Sequence, residues 1–224
     1  MSKLSKDGSV HVTSESINTA THMIGAIFGL FGASLLIAMS AIDQKWWQFG
    51  AFIAYGIGLV GLFVMSSLHH GVNGSEKTNR RLRTWDYTAV YGLIIGTITP
   101  ICLTLFRGVV GYGVLATAIA VASFGITMRW IFEDFPSYIS LTLYLCLGWL
   151  PILLPLLSEV DIPSGGIVWL VGGGIFYTIG AFIFGIEKPN PIPGIFGFHE
   201  IWHIAVLAGA LMHYIFLYQY NLTF

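Results

Sequence analysis

Residues 162–186 read IPSGGIVWLVGGGIFYTIGAFIFGI, a run without a single Asp, Glu, Lys or Arg. A helix of about twenty residues spans the roughly 30 Å hydrocarbon core of a bilayer. In lipid every backbone N–H and C=O must find its partner within the chain, and a helix achieves this segment by segment. The apolar run is continuous and lacks the period-two alternation of an outer-membrane barrel strand. This stretch predicts a transmembrane helix.

Six further windows are equally free of charge: 16–42, 46–75, 87–106, 108–128, 135–158 and 201–224. Only 9% of the 224 residues are charged and 55% are hydrophobic, with a mean hydropathy of +0.77. Soluble domains carry about 25% charged residues, so a water-dissolved globule is excluded. The net charge of −1 offers no reason to expect a nucleic-acid partner. The windows predict an all-α membrane protein, a bundle of seven transmembrane helices near 18–40, 46–69, 86–106, 109–129, 138–157, 165–185 and 199–220. A single domain over 1–224 is expected, with residues 1–16 as an amino-terminal tail. The apolar run from Ile17 is too long for a signal-peptide core and lacks a small-residue cleavage site, so no cleaved leader is expected. Cys102 and Cys146 fall inside apolar windows and read as packing residues rather than a disulfide.

Charge placement orients the bundle. One side collects Lys3, Lys6, Lys77, Arg80, Arg81, Arg83, Arg129 and Lys188, and the other only Lys45 and Arg107. The positive-inside rule then puts the amino terminus in the cytoplasm and the carboxyl terminus outside. The longest inner loop is expected over Gly71–Thr84. Trp46 and Trp47 fit an interfacial aromatic belt. The glycine spacings at Gly25/Gly29, Gly92/Gly96, Gly172–Gly174 and Gly180 predict close helix packing. Pro100, Pro151 and Pro155 predict kinks in the outer halves of the third and fifth helices.

With the helices oriented, polar residues remote in sequence share one layer at the inner rim. Helix 1 brings Glu15, Asn18 and His22, helix 2 brings Ser66 and His70, helix 3 opens at Asp86, and helix 7 opens with His199 and His203. Asn18/His22, Ser66/His70 and His199/His203 are each four apart and therefore share a helix face. Ionisable groups at membrane depth are costly and mark function by default. Three histidines with one open position are the donor set of a catalytic zinc site, and His70, His199 and His203 are the expected ligands. Asp86 is placed to take a proton from water or to hold it, and Ser66 to bond Asp86 or steady an oxyanion.

Plainer readings exist for each residue. Asp86 serves equally as an ion-pair partner for Arg81 or Arg83, and Ser66 as a donor to its own helix backbone. Glu15 and Asn18 serve equally as the cap of helix 1. His69 and Glu200 are expected to face away from the site, and His213 to make an interhelical hydrogen bond.

The ordered set Glu15-x-x-Asn18-x-x-x-His22, Ser66-x-x-x-His70, Asp86 and His199-x-x-x-His203 resembles the hemolysin III family, the bacterial branch of the progestin and adiponectin receptor group. Gly96-Thr-Ile-Thr-Pro100 and Tyr144-Leu-Cys-Leu-Gly-Trp149 add to the likeness, which covers nearly the whole chain. The resemblance implies seven helices, an inner amino terminus and a zinc ion near the cytoplasmic face on the three matching histidines. It also implies that the matching Asp and Ser lie beside the metal. The wider superfamily includes alkaline ceramidases and is proposed to consist of metal-dependent membrane hydrolases. His69 departs from the usual Tyr, and Tyr87 from a common His.

Two function classes follow. The leading one is a zinc-dependent intramembrane hydrolase of a lipid amide or ester, in a bacterial inner membrane, with membrane lipids as its partners. Asp86 would act there as base and Ser66 as its helper. The other is a non-enzymatic membrane protein, either a pore-forming cytolysin or a signalling and homeostasis protein, in which zinc is structural. The short outer loops offer no surface for a protein partner.

Overall fold

A computed structural model describes residues 14–132, 135–162 and 164–223. Lys3, Lys6 and His11 lie outside the described residues, as do Glu133 and Asp134. Seven helices are long and apolar enough to cross a membrane: α1 Glu15–Ile42, α2 Trp46–Gly71, α3 Glu76–Leu105, α4 Val109–Ile131, α5 Ser137–Leu157, α6 Ser164–Ile186 and α7 Phe198–Asn221. Among the described residues there is no strand, only an isolated bridge between Ile192 and Phe196. The molecule is a seven-helix membrane bundle whose large exposed side chains, such as Phe28, Phe31, Ile57 and Phe182, suit a lipid-facing surface.

Six helices follow their charge-free windows closely. Helix α3 does not, because it starts at Glu76 rather than near Asp86. Ser75 caps it, its Oγ accepting from the Thr78 N–H at 3.3 Å, and Arg80 reaches back to Glu76 at 3.4 Å. Most of the anticipated 71–84 loop is therefore helix, and only residues 72–75 connect α2 to α3. Hydropathy detects the lipid-buried part of a helix, whereas a capped, charged extension obeys helix chemistry instead. Asp86 consequently sits in the third turn of α3, held on both sides by regular backbone.

Pro100 and Pro151 coincide with breaks in α-helical geometry, whereas Pro155 lies within the α-helical stretch Leu153–Leu157. After Pro100, α3 runs through a π-helical turn at Ile101–Leu105, and around Pro151 α5 tightens to a 3-10 turn at Leu150–Ile152. Helix α7 also ends in a π turn, Leu217–Asn221. Buried Asn221 joins the two π turns: its Nδ2 donates to Pro100 O at 3.1 Å, and its Oδ1 accepts from Thr104 Oγ1 at 2.6 Å. Its own carbonyl accepts from Gln48 Nε2 at 3.1 Å. At the same end Trp46 and Trp47 are exposed, and the Arg107 guanidinium stacks 4.4 Å over the Trp47 ring.

Glycines set the helix spacing where backbones meet. A Cβ on Gly58 of α2 would lie 2.3 Å from the carbonyl oxygen of Gly92 on α3, whereas one on Gly50 would meet nothing within 4 Å. Backbone cannot yield as a flexible side chain does. Gly58→Ala is therefore expected to destabilise the bundle by about 1–3 kcal/mol, the usual cost of overpacking. Gly50→Ala should be neutral or slightly stabilising through helix propensity. Unfolding midpoints of the two variants in the same detergent check this; equal midpoints would contradict the α2–α3 contact.

Candidate metal centre

Five histidines are buried together where α1, α2 and α7 meet at the amino-terminal rim of the bundle: His22, His69, His70, His199 and His203. The i,i+4 pair on α7 behaves as its spacing demands, with ring centroids 5.0 Å apart. His70 stands 4.9 Å from each of them, edge to face. One ligand nitrogen from each of His70, His199 and His203 lies within 4.8 Å of the other two. Nitrogens around a tetrahedral zinc sit roughly 3.3 Å apart given bonds near 2.0 Å, so small ring movements close them on one cation. His22 stacks flat on His203 at 3.7 Å.

The surroundings fit a polar guest. Asn18 is fully buried, and among the described residues neither its side-chain oxygen nor its nitrogen has a hydrogen-bond partner. An orphaned buried polar group costs about 1–3 kcal/mol, so this corner is built to receive something polar. An all-imidazole donor set with room left beside it suits zinc in a site that keeps an open position.

Ser66 and Asp86 both line a cavity of about 310 Å³ that also touches His199 and His203. This cavity runs up the bundle to Pro155 and Ile162 near the opposite end. Beyond the histidines its walls are mainly apolar, from Val90 and Ile94 on α3, Leu145 on α5 and Leu170 on α6. Tyr144, from the helix-5 stretch noted in the sequence, lines it and donates its hydroxyl to Tyr87 O at 2.7 Å.

Several residues sit differently from what the sequence suggests. His69 does not face away: it is buried, and its ring nitrogen, one from His70 and a carboxylate oxygen of Asp86 lie within 4.8 Å of one another. Consecutive helical residues point about 100° apart, and α2 packs against both α1 and α3, so two neighbouring positions can both be interior. Glu200 is likewise buried. Its two oxygens accept from Gly197 N–H at 2.8 Å and Ser14 N–H at 2.6 Å, clasping the starts of α7 and α1. A Glu three residues after the start of a helix was the available signal for the first of these bonds; the second is tertiary.

Glu15 is not the cap of α1, a role taken by Ser14, whose Oγ accepts from Ile17 N–H at 3.4 Å. Instead the Glu15 carboxylate lies 2.5 Å from Nδ1 of His70. His213 makes the interhelical bond anticipated for it, with Nε2 3.2 Å from Leu170 O on α6. Cys102 is buried, Cys146 is exposed, and both are free thiols.

A seven-helix membrane protein with a histidine cluster at one rim, opening on an apolar cavity, is the class these observations define. The chain belongs to the haemolysin-III related family, whose model matches residues 10–214. It is similar to the hemolysin-3 homolog of Bacillus subtilis (strain 168), 31% identical over 199 residues, covering 89% of this chain and 90% of that one. Hemolysin-3 of Bacillus cereus is 33% identical over 201 residues, covering 90% and 89%. The human monocyte to macrophage differentiation factor is 26% identical over 208 residues, covering 91% and 82%.

The Glu200 clasp is open to test. Removing a buried carboxylate that accepts two backbone N–H groups loses charge-assisted bonds worth about 1.5–3 kcal/mol each. Glu200→Ala should lower stability by at least about 2 kcal/mol in denaturant unfolding in detergent. An unchanged midpoint would mean that the clasp carries no net weight.

Proposed function

We propose that this protein is a zinc-dependent intramembrane hydrolase of lipid amides or esters, with His70, His199 and His203 as the ligands. The observation that carries this reading is the continuity of the histidine cluster with a long apolar cavity that also holds Asp86 and Ser66. A polar end for the head group and an apolar shaft for the tail match the amphipathic shape of a lipid. A bound zinc ion would supply a Lewis acid at the scissile carbonyl and make an adjacent water more acidic.

The chain's own residues have separable tasks. Val90, Ile94, Leu145 and Leu170 hold the acyl chain and exclude bulk water. Asp86 takes a proton from the attacking water at its carboxylate oxygen and returns it to the leaving nitrogen or oxygen. Ser66 donates its hydroxyl hydrogen to the carbonyl oxygen as negative charge develops there. On the positive-inside count the rim faces the cytoplasm of a bacterial inner membrane, so the released head group leaves on that side.

The alternative of a purely structural zinc is disfavoured by the same cavity, because a structural site is closed by a fourth protein ligand. A pore-former would need a polar lining through the full depth, and the shaft above the histidines is largely aliphatic and aromatic.

Purified protein should bind about one zinc ion, and a His70→Ala/His199→Ala/His203→Ala variant should bind none by elemental analysis. Undiminished zinc in that variant would refute the ligand assignment. Asp86→Asn should keep its zinc and lose about 10²- to 10⁴-fold in turnover of short-chain ceramide or fluorescent ester probes, the usual contribution of a general base. Wild-type rates in Asp86→Asn would remove Asp86 from the reaction.

A further inference from the structure

The polar groups of α1 around the histidines are arranged to settle where two ring protons sit. Glu15 Oε2 lies 2.5 Å from Nδ1 of His70. An ionised carboxylate has no hydrogen to give, so Nδ1 of His70 carries the proton and donates it. A neutral imidazole has one N–H, which leaves Nε2 of His70 as the lone-pair nitrogen.

Thr21 favours the same choice on His203. Its hydroxyl oxygen lies 3.3 Å from Nδ1 of His203 and also 2.9 Å and 3.0 Å from the carbonyl oxygens of Ile17 and Asn18. Those carbonyls only accept, and both lie nearer to the hydroxyl oxygen than Nδ1 does. With the hydrogen on the helix carbonyls, the oxygen offers His203 a lone pair, and Nδ1 of His203 is the donor. The flat stack of His22 on the same ring restricts its rotation.

We propose that α1 sets the tautomers of the centre: Glu15 and Thr21 are positioning residues that hold His70 and His203 as Nδ1–H imidazoles, so that both rings offer Nε2 to one cation. The Glu200 clasp fixes the register of the device. It bonds the backbone N–H of Ser14, next to Glu15, and that of Gly197, two residues before His199. The inference rests on the metal reading above but is tested separately from it, because a tautomer exists without a metal.

The experiment uses full-length protein in detergent, labelled with ¹⁵N-histidine, with His70 and His203 signals assigned by single substitution. In metal-free wild type both rings should show the shifts of the Nδ1–H form. In Glu15→Ala the His70 signals should move to a mixture of tautomers, while Glu15→Gln, whose amide oxygen still accepts, should keep the single form. Thr21→Val, close in shape but without an acceptor, should release His203 alone. Zinc affinity by chelator competition should fall about 10- to 100-fold in Glu15→Ala, the usual effect of losing a partner behind a ligating histidine, and less in Glu15→Gln. An unchanged His70 tautomer in Glu15→Ala, or a single Nε2–H form in wild type, overturns the proposal. Should Glu15→Ala fail to fold, the wild-type and Thr21→Val shifts decide it. Wild type that takes up no zinc overturns the metal reading while the shifts still judge the tautomers.

Discussion

Hydrocarbon will not solvate an imidazole or a carboxylate, and the bundle is arranged around that refusal. Polar side chains at membrane depth must face protein and find partners. Five histidines, three acids, a serine and an asparagine from helices α1, α2, α3 and α7 therefore gather at one rim. Bringing them together requires helices in the right order and direction, which the short connections enforce. Close glycine contacts such as Gly58 against Gly92 then let the backbones approach. Above this rim the interior returns to aliphatic and aromatic packing.

The helices are legible because their signal is chemical exclusion: each span is built on a window of at least twenty residues without Asp, Glu, Lys or Arg. The start of α3 escapes that signal for the same reason, since Glu76–Arg83 is charged and helical at once. Its Ser75 cap and the Glu76/Arg80 pair were signals of another kind, local to the helix terminus. Site residues could be grouped by depth because helix direction alternates along the chain, which carries His70, Asp86 and His203 to one level without knowledge of any contact.

Facing was harder to read than depth. His70 facing inward suggests that His69 faces away, but α2 is flanked by α1 and α3 and buries a wide arc. Glu200, next to His199, is buried as well, yet it serves backbone N–H groups rather than the histidines. Glu15 had an adequate local explanation as a cap, which its contact with His70 displaces. The cavity had no sequence signature at all. It is a volume left between α3, α5, α6 and α7, and such volumes depend on crossing angles that one-dimensional patterns do not encode.

Asn221 lies at the opposite end of the bundle from the histidines, on the same helix as His199 and His203. It pins the far end of α7 to α3 through Pro100 and Thr104. His203 is eighteen residues away along α7, a lever arm of about 27 Å at 1.5 Å per residue. A swing of only about 2° at that pivot would displace His203 by roughly 1 Å. The two π turns joined by one amide are thus the hinge pin of a long calliper, and the jaws are at the other side of the membrane.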